Sequence, residues 1–94
     1  MAVVKAFRLG GIHCCFYSND HEPPHFHAKR NGRWHVKVHF LLLESSMIEP
    51  VWGKLTGRDR RKITKAVESH RAQLWDEWSA IRWQSHGHAD EEIS

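Results

Sequence analysis

Long apolar stretches are absent from this sequence, which excludes a transmembrane helix because such a helix needs about 18 or more apolar residues. The first ten residues contain Lys5 and Arg8 but no long apolar segment, so we expect no secretory signal and a cytoplasmic protein. Cysteine is scarce, and a bridge between the adjacent Cys14 and Cys15 would be strained, so free thiols are predicted. No C-x-x-C, P-loop or G-x-G-x-x-G signature occurs, so no zinc-ribbon or nucleotide-binding motif defines the chemistry.

Aromatic residues and a local excess of positive charge are what the chain contains instead. Five Trp and four Phe in 94 residues favour one folded domain with a modest core over disorder. The net charge is only +3, but seven basic residues lie between Lys54 and Arg71, opposed there by Asp59 and Glu68. This patch predicts a surface for nucleic acid or an acidic partner, although an ordinary solvated helix face has the same composition. The predicted footprint consists of four side chains: Arg58, Arg61, Lys62 and Lys65.

Histidine is concentrated in one short segment, residues 19–28, which reads N-D-H-E-P-P-H-F-H-A. Pro23 and Pro24 restrict the backbone and disfavour helix before them, so this corner is predicted to be stiff and extended. Imidazole is a good ligand for Zn or Ni, and a carboxylate can ligate the metal or orient the imidazole. The predicted metal set is His21, His25, His27 and Asp20. Acid–base catalysis by the same histidines and a purely structural corner remain alternatives.

Alternating apolar and polar residues predict strands on both sides of the corner. Residues 12–17 and 25–30 form two of these, and residues 33–40 alternate strictly. Four side chains of the last segment are predicted to face the core: Trp34, Val36, Val38 and Phe40. The serines at positions 45 and 46 predict a turn, and Pro50 limits any strand after it to a short one, residues 47–51.

The register of the central hairpin determines where the histidines lie. Asn31-Gly32 is typical of a two-residue type I′ turn, but that register would put His25 and His27 on the face of Trp34. A longer loop or a bulge shifts the pairing by one residue and returns Phe26 to the apolar face. The opposite face would then carry four histidines: His25, His27, His35 and His39. We prefer this second register.

A helical segment is predicted at the C-terminal end of the fold. Thr56 is a good N-cap, Asp59 follows three positions later, and apolar residues recur with helical spacing from residue 58 to residue 83. One long helix and two helices broken near Ser69 both fit this pattern. The prediction is one α+β domain, residues 1–83, in which an antiparallel sheet of three or four strands packs on the helical segment. Residues 84–94 are expected to form a disordered tail.

Three side chains of this segment are given separate roles. His70 lies on the apolar stripe and is predicted to turn toward the sheet and bond to the corner, supporting the metal ligands. Trp75 and Trp83 are predicted to bind a partner protein, because aromatic residues are enriched in interfaces. Trp78 continues the apolar stripe and is predicted to lie in the core.

The corner also carries a family resemblance. Residues 16–28 resemble the core of a small bacterial family of domains of unknown function, number 4160, which shares a D-H-x-P-P-H-F-H-A motif. Members continue with a β-hairpin and a helical segment ending in H-x-x-x-L-x-x-x-W, which here runs from His70 to Trp78. The resemblance spans residues 11–81 but departs after the hairpin, where members carry an acidic stretch and this chain has Phe40-Leu41-Leu42-Leu43. It implies no established activity, and a gene beside that of another small protein in a toxin–antitoxin-like or regulatory setting.

These observations predict a non-catalytic binding component of such a two-gene module. The expected partners are a small operon-encoded protein or nucleic acid, and no membrane is involved. The alternative prediction is a metal-dependent hydrolase or nuclease centred on His21, His25 and His27. A divalent transition metal, Zn or Ni, is the one cofactor considered.

Overall fold

The computed structural model describes residues 2–17 and 23–93, with side chains described as far as residue 81. In this part of the chain the elements are β1 (Ala2–Val3), β2 (His13–Phe16), β3 (Phe26–Arg30), β4 (Trp34–Val38), α1 (Glu44–Met47), β5 (Ile48–Gly53) and α2 (Gly57–Ile93). The predicted α+β class is confirmed, and the sheet has five strands where three or four were expected. None of the helices described is both long and apolar enough to cross a membrane.

The sheet is an antiparallel meander in which strand order follows chain order, β1-β2-β3-β4-β5. The predicted fourth strand is present but begins one residue later and ends two residues later than expected. Pro50 lies opposite Val36 beside a register irregularity at His35/Val36, since proline has no amide hydrogen to donate to the ladder. The predicted turn at the serines is a one-turn helix, α1.

The central hairpin adopts the second register, with Phe26 opposite Val38 and Arg30 opposite Trp34. The loop between the strands therefore has three residues, 31–33, and the four-histidine face is confirmed. The alternative register, with a two-residue type I′ turn, does not occur. Only Gly32 has a positive φ, 74°, as in a type II turn, whereas type I′ needs a positive φ at Asn31 too. Pairing apolar side chains across the strands outweighs the usual preference of Asn-Gly, because a one-residue slip would exchange the two faces.

The helix α2 packs on the apolar face of the sheet. Its predicted stripe is confirmed, because four of its side chains are buried: Ile63, Val67, Leu74 and Trp78. Thr56 caps the first turn, since its Oγ1 accepts from the Asp59 amide at 3.2 Å. Of the two helical alternatives, the structure shows the break, at His70, whose φ of −130° and ψ of 19° lie outside the helical range. The predicted domain end at residue 83 stays a prediction.

A buried carboxylate joins the hairpin to the start of α2. Asp59 accepts hydrogen bonds from Arg30 Nε at 3.0 Å, from Arg30 Nη2 at 2.9 Å and from the Trp34 indole N–H at 3.2 Å. Hydrogen bonding from Arg30, and then from Trp34, lowers the pKa of Asp59 despite its burial. The spacing from Thr56 predicted only a capping role for Asp59, so this long-range contact was missed.

Candidate functional site

The sheet has two faces of opposite character, because residues that pair directly across antiparallel strands point to the same side. The row Cys14, Ala28 and Val36 belongs to the core beneath α2. The neighbouring rows point away from α2, and we call this side of the sheet the histidine face. One of its rows consists of Cys15, His27, Lys37 and Glu49. The next row consists of His13, Lys29, His35 and Trp52.

Four imidazoles form a chain of ring contacts on the histidine face. The ring centroid of His25 lies 5.2 Å from that of His27 and 5.3 Å from that of His39. The ring centroid of His27 lies 5.1 Å from that of His35. His25, His27 and His39 are buried, whereas His35 is partly exposed. This series of contacting imidazoles is therefore buried at His25, His27 and His39 and accessible to solvent at His35.

Hydrogen bonds constrain the protons carried by these rings. His27 Nδ1 and His35 Nε2 are 2.9 Å apart, so one nitrogen donates and the other accepts. His25 Nδ1 donates to the Pro23 carbonyl at 2.9 Å. His39 Nε2 lies 2.9 Å from a Glu49 carboxylate oxygen, and this contact is the main reason that the pKa of Glu49 is lowered. These bonds hold each ring in one orientation.

The charge on His35 is governed by its surroundings. Burial lowers the pKa of His35, and the nearby ammonium groups of Lys29 and Lys37 lower it further. A neutral imidazole is therefore favoured near pH 7, so His35 can accept a proton. Tyr17 borders the same region, because its ring centroid lies 4.2 Å from that of His27 and its hydroxyl lies 3.5 Å from Lys29 Nζ.

The predicted metal site is brought together only in part. His25 and His27 are adjacent, but Asp20 and His21 lie outside the described residues, so the full set stays a prediction. Among the residues with described side chains, no three His, Cys, Asp or Glu are arranged to hold a metal ion. His39, which is not in the predicted metal set, has a buried Nδ1 without a hydrogen-bond partner in the described part of the chain.

The described contacts of His70 lie away from the corner. Its Nδ1 donates to the Ala66 carbonyl at 2.8 Å, one turn back in α2, and its ring packs 5.6 Å from that of Phe7. Within the described residues, no hydrogen bond joins His70 to residues 23–28. The predicted bond to Asp20 lies outside the described residues. The imidazole instead provides a hydrogen bond at the break in the helix.

The predicted nucleic-acid footprint is a continuous stripe on α2. Its four side chains are exposed and spaced at i, i+3, i+4 and i+7, which places them on one helix face. They are Arg58, Arg61, Lys62 and Lys65. We call them the cationic stripe. Asp59 pairs chiefly with Arg30, and the charge of Lys62 lowers the pKa of Asp59 to a lesser extent.

The tryptophans of α2 divide as their spacing predicts. Trp78 is 2% exposed and packs in the core, which confirms that prediction. Trp75 is 45% exposed, and the side chain of Trp83 lies outside the described part. Arg71 Nε donates to the Phe40 carbonyl at 2.7 Å, so the chain is tied to α2 just before the exposed segment 41–43, one helical turn before Trp75.

Sequence reasoning missed the exposed row of the histidine face. His13 was predicted only as part of the strand at residues 12–17, and Trp52 was given no role. Their alignment with Lys29 and His35 depends on the registers of three strand pairs at once. The alternation at His35 and Lys37 indicated which side chains of β4 face away from the core. Alternation within one strand does not show which residues of the neighbouring strands lie beside them.

Comparison with known proteins gives one match. The family model of DUF4160, a domain of unknown function, matches residues 11–79, which include the corner, β2 to β5 and the first part of α2. Neither the curated proteins nor the solved structures include a match to the chain.

Proposed function

The chain belongs to the DUF4160 family of domains of unknown function, and from its geometry we propose a nucleic-acid-binding component of a bacterial, cytoplasmic two-gene module. The module would be toxin–antitoxin-like or regulatory. The observation that carries this proposal is the cationic stripe, whose four exposed charges share one helix face. Phosphate groups are the polyanion that such a stripe fits, since each Lys or Arg can neutralise one phosphate and release a counterion.

The number of cations in the stripe predicts how steeply the affinity for DNA depends on salt. If all four cations contact phosphates of a DNA duplex, log K should fall against log salt with a slope of about −3 to −4. Affinity should then drop about 100-fold between about 50 and 200 mM salt. Removal of one cation should make the slope shallower by about 0.9.

The test is fluorescence anisotropy with labelled double-stranded DNA over a series of salt concentrations. Arg61→Glu should weaken binding and reduce the slope, and the triple variant Arg58→Glu, Arg61→Glu, Lys65→Glu should abolish binding. Lys5→Glu is the matched control, because Lys5 is equally exposed and lies outside α2. A wild-type protein that does not bind at low salt would overturn the proposal, as would a Lys5→Glu variant as weak as Arg61→Glu.

A specific observation also supports a protein partner within this module. The segment 41–43 is exposed although its three residues are leucine, and the residue before it bonds to Arg71, one helical turn before the half-exposed Trp75. Clustered exposed apolar side chains mark interaction sites, and aromatic residues are enriched at their centres. We therefore propose that the small protein encoded next to this chain binds this surface.

Co-expression of the tagged chain with that neighbouring protein tests this second proposal. Leu43→Asp and Trp75→Ala should each reduce the amount of protein that co-purifies, because both remove apolar contact area. Val3→Asp is the control, since Val3 is also more than half exposed but lies on β1. Equal loss of complex in Val3→Asp, or no complex with the wild type, would contradict it.

A further inference from the structure

The exposed row of the histidine face has the parts of an acid–base site. His13, Lys29 and His35 lie side by side on β2, β3 and β4, and each pair is in direct register. Neighbouring strands are about 4.8 Å apart, so the backbones of the two histidines are separated by about 10 Å with the lysine between them. We propose that this row cleaves single-stranded RNA, with His35 as general base, His13 as general acid and Lys29 binding the reacting phosphate.

Accessibility distinguishes this row from the other histidines of the same face. His13 is exposed, and Lys29 and His35 are partly exposed, whereas His25, His27 and His39 are buried. A depression of about 430 Å³ opens beside the row, and its lining includes His13 and Lys29. A phosphodiester can therefore reach the row without displacement of the core.

The buried His27 is a positioning residue in this site. Its Nδ1 lies 2.9 Å from Nε2 of His35 and holds that ring on the face of Lys29. When His35 donates its Nε2 proton to His27, the Nδ1 of His35 carries the lone pair that takes the proton from substrate.

The reaction needs no co-reactant beyond RNA itself. His35 removes the proton of a ribose 2′-hydroxyl, and the 2′-oxygen forms a bond to the adjacent phosphorus. The bond from phosphorus to the 5′-oxygen breaks, and that oxygen takes a proton from His13. Lys29 stabilises the negative charge that develops on the phosphoryl oxygens. The products are a 2′,3′-cyclic phosphate and a 5′-hydroxyl, and solvent then restores the two histidines to their starting protonation states.

Trp52 indicates that the RNA is single-stranded. It is opposite His35 in register and 50% exposed, so its indole is available to an unpaired base. Any base can stack on an exposed aromatic ring, because every base has a π-face. A base within a duplex is already stacked and cannot use this surface.

The test is cleavage of a fluorescent single-stranded RNA by the full chain in the presence of EDTA. The matched substrate has 2′-deoxyribose throughout and should stay intact. His13→Ala and His35→Gln should each lower the rate at least about 100-fold, because each removes one proton-transfer group. Glutamine can keep a hydrogen bond to His27, and thermal unfolding of each variant checks its fold. Trp52→Ala should raise KM more than it lowers kcat.

Several results would overturn the inference. These are intact RNA with the folded wild type, loss of cleavage in EDTA, and cleavage by His13→Ala or His35→Gln at the wild-type rate. The variant Lys29→Ala is compared with Lys5→Ala, because each removes one lysine and only Lys29 lies in the row. The row shares no residue with the cationic stripe, so loss of DNA binding and loss of RNA cleavage are separate outcomes.

Discussion

Substitution of Asp59 by alanine should destabilise the protein by about 2–3 kcal/mol. The carboxylate accepts three hydrogen bonds from Arg30 and Trp34, so its removal leaves the buried Trp34 indole N–H without an acceptor. An unsatisfied buried donor costs about 1–3 kcal/mol, and disruption of a fully buried ion pair costs about 3–5 kcal/mol. The Arg30 side chain is 30% exposed, so water can solvate it when the carboxylate is removed. We therefore expect a loss of stability toward the lower end of these two ranges.

Urea unfolding at pH 7 measures this difference in the free energy of unfolding. Asp59→Asn keeps the shape and one acceptor and should be intermediate between alanine and the wild type. Glu68→Ala is the control, because Glu68 is an exposed acid on the same helix and should change stability by less than about 0.5 kcal/mol. The reasoning is refuted if Asp59→Ala is as stable as Glu68→Ala.

The same pair predicts a pH dependence with a defined sign. Because the folded-state pKa of Asp59 lies below its ordinary value of 3.8, the unfolded chain binds more protons as the pH falls toward 3.8. The contribution of Asp59 is complete above that value and is lost as the pH falls through the lower folded-state pKa. The stability difference between wild type and Asp59→Asn should therefore shrink on acidification. A difference that stays constant from neutral to acidic pH would show that the charge is irrelevant.

Three further predictions concern single side chains. Gly32→Ala should destabilise the protein by about 1–2 kcal/mol, because Gly32 has a positive φ. Gly53→Ala should destabilise it more, because Gly53 also has a positive φ and an added Cβ there would overlap the backbone of β4. Thermal unfolding ranks the two variants, and equal losses would contradict the overlap. Burial raises the pKa of Cys14 to about 12, so its thiol should resist a disulfide reagent at pH 8 until urea unfolds the chain. His70→Ala should cost about 1 kcal/mol through loss of its bond to Ala66; urea unfolding would contradict the proposed role if no change appeared.

The strands and the arrangement of their faces were predictable because periodicity is a strong local signal. Strict alternation from Trp34 to Phe40 identified the core side of β4, and the need to pair Phe26 with that side selected the observed hairpin register. The turn type was not predictable from Asn31-Gly32 alone. That dipeptide reports a local preference, whereas the register is set by the burial of several side chains along the strands.

Contacts between distant polar groups were beyond sequence reasoning. Asp59 is 29 residues from Arg30 and 25 from Trp34, and nothing in the local pattern links them. The described bond of His70, to the Ala66 carbonyl four residues away, was also not predicted, and its predicted bond to the corner stays a prediction. A helical stripe specifies which way a side chain turns, but not which polar atom it meets.

The meander order of the strands has a consequence for how the chain folds. Each strand pairs only with the strand before or after it in the chain, so every pairing in the sheet closes a short loop. Short loops cost little chain entropy and contacts of low sequence separation form quickly, so the sheet can assemble hairpin by hairpin. The apolar face needed by α2 is then complete before the helix docks. We therefore expect rapid folding with a transition state centred on the β3–β4 hairpin.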